Sequence, residues 1–382
     1  MKYRTEVLHS AAELIPRCWD ERLLGASDFY LSTKWLTATE LLNDIHPNYI
    51  VALDQAGEVI AGLVAFLFDS RTPPWEFYRI DCVLNRLLKK PDHLSRGIAN
   101  GSETDFATLL PTLFLGGRHV GHGRLLLAQE LTASVRGDAM NSVLDCAEEL
   151  AGSGEARSVG FMFVDEGDEL CECLEKRAYH QLRNAGAGIM EIDFPSFDEY
   201  LKRFSGHRRR NITKELRQFD EAGIVFSERS LDEVSQEIST LEAQLEQKYG
   251  ISNPVEVIQK KHAVVSDLFP TSTVVLTAEL HGRICGFVLA IKWRDSIFLR
   301  QAGFDYEMNG KLPIYFGVAF YEAVKYALNV SAKRIFYAIE STEAKSSRGC
   351  RIVEQKVWVR GLDVAAVKTL QSILGTAAVM VD

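Results

Sequence analysis

The chain has 382 residues, 47% hydrophobic and 25% charged, with a formal net charge of −9. That balance is that of a soluble globular protein of about two to three domains. It excludes a membrane span, because no run approaches roughly 18 apolar residues, and it excludes a DNA binder while leaving room for one local contact with an anion.

The N-terminus, "MKYRTEVLHSAAELIPRCWDER", is polar and mixed in charge, so no secretory signal is expected. Cys18, Cys82, Cys146, Cys171, Cys173, Cys285 and Cys350 form no spaced framework, which points to free thiols in a reducing cytoplasm. Cys171 and Cys173 are a CxC without a second half. The histidines offer no HxxxH or HExxH, and His119 and His122 sit among glycines, so no metal site is expected.

"STKWLTATELLND" reads as a helix capped by Ser32 or Thr33. "NYIVALDQAGEVIAGLVAFLFDS" is two β-rich runs turned at Gly57, a hairpin. Residues 69–123 carry "RTPPWEFY" and "GIANGSETD" and read as one long irregular insertion. A strand follows in "GRLLLAQEL", a turn in "TASVRGD", a helix in "AMNSVLDCAEELAGSG" and a buried strand in "RSVGFMFV", the order of a βαβ unit. A helix, "DELCECLEKRAY", and a strand, "AGIMEIDF", close this half.

Near the midpoint, Leu201 to Arg217 holds seven Lys and Arg residues and a single acid. Two helices split at Gly206 are expected. On the second, Ile212, Leu216 and Phe219 make the buried face, while Arg210, Lys214 and Arg217 form a basic ridge beside it. Gly223 is placed to stop the helix. Residues 231–269 then read as helical and acidic. A second hairpin spans "STVVLTAELHGRICGFVLAIKW" and is followed by the strand "IFLRQAGF". The helix "LPIYFGVAFYEAVKYALNVSA" and the strand "KRIFYAI" come next. The second half thus repeats the order of the first, which implies duplication of one α/β unit.

Hairpin, strand, turn, helix, strand is the order of the GNAT acyltransferase fold, and each half resembles it. In the first half "VRGDAMNSVL" is similar to the GNAT phosphate loop. Arg136 and Gly137 fit as cofactor-binding residues, whereas Asp138, Ala139 and Asn141 depart from the pattern. "YLKRFSGHRRRNITKELRQFDEAGIVF" together with "FYAIESTEAKSSRGCRIVEQKVWVRG" resembles the tandem-GNAT family of Fem-type aminoacyltransferases and their BioF2-like relatives. Glu340 or Glu343, Lys345, Arg348 and Gly349 match the family's "E.K...G".

The resemblance implies an α/β protein of two tandem GNAT-like domains, with boundaries at 1–195, a basic connecting segment at 196–224, and 225–382. It implies transfer of an acyl or aminoacyl group to an amine. Acyl-CoA or aminoacyl-tRNA would be the co-substrate, with no tightly bound cofactor and no metal. The expected acceptor is a small biosynthetic intermediate, since the coiled-coil insertion of some cell-wall members is absent. Fem-type ligation onto a peptidoglycan precursor and a catalytically silent binding protein are the alternatives. Lys345 matches the family lysine lining the site around the donor ester or acceptor phosphate.

Amine acylation needs a proton acceptor and donors for the oxyanion. The expected catalytic group is Glu340, Lys345, Tyr315 and Asp305, with Gln301 and Tyr306 nearby. Arg210, Lys214, Arg217, Arg300, Tyr321 and Arg348 are expected to bind substrate.

Overall fold

The computed structural model describes residues 2–42, 46–75, 77–89, 105–248 and 251–378. It divides into two compact units, Met1–Gly186 with Val353–Asp382, and Ala187–Ile352.

In the first unit, strands β1 (Arg4–Leu8), β2 (Asn48–Leu53), β3 (Val59–Phe68) and β4 (Thr112–Leu115) form an antiparallel series. The two-residue strand β5 (Leu126–Leu127) pairs with β3, and β6 (Ser158–Asp165) runs parallel to β4. Helix Ala133–Ser153 lays Met140, Val143, Leu144 and Ala147 on Ile50, Leu63, Leu113 and Phe161 to make the core. Strand β7 (His180–Glu191) carries the chain into the second unit.

The second unit repeats the plan. Strands β8 (Val225–Arg229), β9 (Thr273–Leu280), β10 (Arg283–Trp293) and β11 (Ser296–Phe304) are antiparallel neighbours. Strand β12 (Arg334–Ile339) lies parallel to β11 and antiparallel to β7. Strand β13 (Arg351–Gly361) returns the chain to the first unit, where it pairs antiparallel with β6. Each unit therefore takes its last strand from a part of the chain outside its own run of four. This places the division at 186/187 and 352/353 rather than at 195 and 224, with the basic segment inside the second unit.

Local signals held where they were chemical. Ser32 caps the helix Thr33–Leu42, accepting from the Trp35 amide at 3.3 Å. The expected hairpins form, with Gly57 and Gly282 at positive φ in their turns. The basic helix, Gly206–Ala222, begins at Ser205, whose hydroxyl accepts from the Arg208 amide at 3.3 Å. It ends at Gly223 in the left-handed region.

Other expectations shift. The stretch 69–123 contains helix Ile80–Lys89, a short turn Phe106–Leu109 and strand β4; residues 90–104 of it lie outside the described residues. The helix expected from Ala139 starts at Ala133, so "VRGD" is helix rather than turn. The expected helix 312–332 is broken by a π-helical segment, Gly317–Glu322. Among the described residues, no helix is long and apolar enough to cross a membrane.

Candidate functional site

The parallel register of β11 and β12 ends at Leu299↔Tyr337. On the β10 side, the register steps from Ala290↔Leu299 to Leu289↔Gln301, which leaves Arg300 as a bulged residue. Strand β12 carries a second irregularity, since Tyr337 pairs with Gly188 and Ile339 with Ala187, leaving Ala338 out of register. Both strands thus change course at the same level. Beyond it β11 runs on to Phe304 paired with β10.

Lys345 sits at this level. It is 4% exposed, and its Nζ donates to the carbonyl oxygens of Ala338 and Ile339, the latter at 2.9 Å. The bulge is what turns the Ala338 carbonyl out of the ladder toward the lysine. Burial holds the ammonium down at about 8, with the Cys350 thiol and the Glu340 carboxylate opposing that shift. The same burial pushes the Cys350 thiol up to about 12. The chain reaches Lys345 through Glu340 and Ser341, two consecutive non-glycine residues at φ 66° and 49°, a strained pair of the kind held at functional sites.

Tyr337 lies beside this lysine, stacked on Phe320 with ring centroids 4.8 Å apart. Its hydroxyl is buried and has no hydrogen-bond partner among the described residues, and burial raises its pKa.

Arg348, 2% exposed, is not open to a substrate. Its Nε donates to the Tyr321 hydroxyl at 2.9 Å, and its Nη2 to both oxygens of Glu215 at 2.7 and 2.9 Å. Tyr321 is 0% exposed and donates in turn to Glu215, with its pKa raised first by burial and then by that bond. Arg348 and Tyr321, expected to bind substrate, are thus paired with each other and with Glu215 inside the core.

The remaining expected residues separate. Asp305 accepts from the Met308 amide at 2.8 Å and caps the short helix Tyr306–Asn309. Tyr306 is exposed, with Lys248 Nζ 4.1 Å from its ring centroid. Tyr315 is half-buried against Phe304 and Phe320. Arg300 is half-buried at the β11 bulge. Gln301 donates to the buried Glu242, whose other oxygen pairs with His262 Nε2 at 3.0 Å, tying β11 to helices Leu231–Lys248 and Val255–Leu268.

Arg210, Lys214 and Arg217 lie exposed along one side of the basic helix, and none has an ion pair among the described residues. In the first unit, Arg136 pairs with Glu169, and its own amide donates to the Thr132 carbonyl at 2.9 Å. The Gly137 carbonyl accepts from Asn141 Nδ2 at 2.8 Å. The Arg136 amide is thus bound within the helix.

Sequence reasoning passed over Glu215, Tyr337 and Gly188. Glu215 left a signal, as the single acid among seven cations. Tyr337 and Gly188 left none, since strand residues of those types are ordinary.

A family model, FemAB-like, described as peptidoglycan biosynthesis/recognition, matches residues 120–377. Among solved structures, FemX superposes with a TM-score of 0.59 at 12% identity, covering 92% of this chain and 96% of that one. The C-terminal domain of a putative lysylphosphatidylglycerol synthetase from Agrobacterium fabrum gives 0.54 at 10% identity, covering 97% of each chain. A tandem GNAT protein from the clavulanic acid biosynthesis pathway gives 0.52 at 11% identity, covering 94% of this chain and 98% of that one. No curated protein matches. The chain belongs to the FemAB-like family of peptidoglycan biosynthesis/recognition proteins and has the fold of two GNAT-like domains in tandem.

Proposed function

We propose that this protein is an aminoacyl or acyl transferase that moves its group from an activated donor to an amine, with the reaction centred on Lys345. The observation that carries the reading is the lysine itself, a buried ammonium seated on two carbonyls where β11 and β12 part. A cation fixed there stabilises negative charge developing on a donor carbonyl or on a phosphate. Near its pKa of about 8 it also exchanges a proton without large cost. Glu340, half-buried and next to the same turn, is the proposed acceptor of the amine's proton.

The exposed ridge of Arg210, Lys214 and Arg217 is proposed to hold phosphates of a substrate, by charge-assisted contacts. For the donor, the engagement of Arg136 with Glu169 removes one ground for coenzyme A at that helix, which favours aminoacyl-tRNA. For the acceptor, the family's description favours a peptidoglycan precursor over the small biosynthetic intermediate that the sequence suggests. The test begins with mass spectrometry of the purified protein for co-purified coenzyme A or tRNA. Transfer is then assayed from acetyl-CoA and from a charged tRNA pool to a nucleotide-linked peptidoglycan precursor and to a panel of small amines. Transfer that Lys345→Met abolishes supports the reading. Absence of transfer with every pair, or full activity in Lys345→Met, refutes it.

A further inference from the structure

The guanidinium of Arg348 is held through each of its three nitrogens. Nε donates to Tyr321, Nη1 to Ser347 Oγ at 2.9 Å, and Nη2 to both Glu215 oxygens, while Cζ lies 3.8 Å from the centroid of the Phe316 ring. The Tyr200 hydroxyl donates to the Arg348 carbonyl at 2.8 Å. Arg348, Tyr321 and Glu215 close a ring in which each role is fixed. The arginine only donates, the carboxylate only accepts, and the phenol accepts from one and donates to the other. None can turn without breaking two bonds.

This ring stands three residues beyond Lys345. The Arg348 and Cys350 amides donate to the Lys345 carbonyl at 3.0 and 3.1 Å, so the lysine backbone is held from the arginine side. The helix that carries Lys345, Thr342–Ser346, has five residues, too few to persist without tertiary anchors. The strained turn at Glu340 and Ser341 stores cost and holds nothing by itself.

We infer that Glu215, Arg348 and Tyr321 are positioning residues that keep Lys345 on the Ala338 and Ile339 carbonyls. Because Glu215 belongs to the basic helix, that helix and the lysine seat are one mechanical unit. The consequence for catalysis rests on the role proposed above for Lys345; the positioning itself does not.

The test needs no substrate. The full-length protein is labelled with trace acetic anhydride across a range of pH, and acetylation of each lysine is read by mass spectrometry. The groups facing the Lys345 ammonium are the Ala338 and Ile339 carbonyls, the Cys350 thiol and the Glu340 carboxylate. Glu215→Leu combined with Arg348→Met leaves no buried charge behind. In it the fully deprotonated Lys345, read at the high-pH plateau of its profile, should label about tenfold faster or more, the change that ~1.4 kcal/mol of lost protection produces. Its midpoint should move up toward that of the exposed lysines, whose profiles stay fixed. Arg348→Lys keeps the charge, loses the fork and should behave the same way. Tyr321→Phe removes one bond of the ring and should give a smaller shift in the same direction. A Lys345 profile identical to wild type in any of these that remains folded overturns the inference. Transfer assays on the same variants address the catalytic reading separately.

Discussion

Lys345 lies across Gly188: a methyl group on that glycine would stand 2.7 Å from Lys345 Cδ and 3.3 Å from Tyr337 Cβ. Gly188 is opposite Tyr337 in the antiparallel register of β7 and β12, so the missing side chain is the room the lysine stem occupies. The stem is pinned at its far end by two carbonyls and cannot slide away. Gly188→Ala is therefore expected to unseat the lysine, costing about 1–3 kcal/mol by overpacking and abolishing most transfer. Adding Lys345→Ala should restore the melting temperature without restoring activity. Unchanged melting and activity in the single variant would show the stem to be loose.

The buried ammonium makes stability depend on pH in a defined direction. Lys345 titrates at about 8 in the folded protein, against an ordinary value of 10.5. Below 8 both folded and unfolded chains hold the proton, and the full cost of burial is present. Between the two values the unfolded chain holds it and the folded chain has shed it, so stability rises with pH across that window. Compared with Lys345→Met, wild type should gain up to about 3 kcal/mol over this range. Paired urea melts at about pH 7, 9 and 10.5 measure it; a flat difference would mean the lysine reaches water.

Breaking the Arg348–Glu215 pair from one side should cost more than removing it. Side-chain exposure is 2% for the arginine and 17% for the glutamate. Glu215→Leu strands the more buried charge and is expected to be the worse single variant, at about 3–5 kcal/mol. Arg348→Met should cost less, and the double apolar variant less than either. Denaturant midpoints rank the three.

The basic ridge should behave in the opposite way. Arg210, Lys214 and Arg217 are exposed and unpaired among the described residues, so truncating each to alanine should leave the melting temperature nearly unchanged. A lost charge-assisted phosphate contact of about 1.5–3 kcal/mol should weaken substrate binding roughly 10- to 150-fold. Affinity unchanged in all three would leave the ridge as solvated surface.

Much of this protein was legible before folding, where the information is local. Ser205 and Gly223 bracket the basic helix, Gly57 and Gly282 turn the hairpins, and Ile212 and Phe219 face inward, because capping, turn geometry and helical spacing depend on neighbours in sequence. The repeated element order and the "E.K...G" string led to the family and to Lys345. What the sequence could not decide is which polar groups spend themselves on one another. Arg348 reads as a ligand-binding arginine until Glu215, 133 residues away, is found holding it. Arg136 reads as a phosphate ligand, and Glu169, 33 residues on, pairs with it. Gly188 is a featureless strand glycine until Lys345 fills the space above it. Burial and pairing between distant residues set the energy of a charged side chain, and only the tertiary structure brings those residues together.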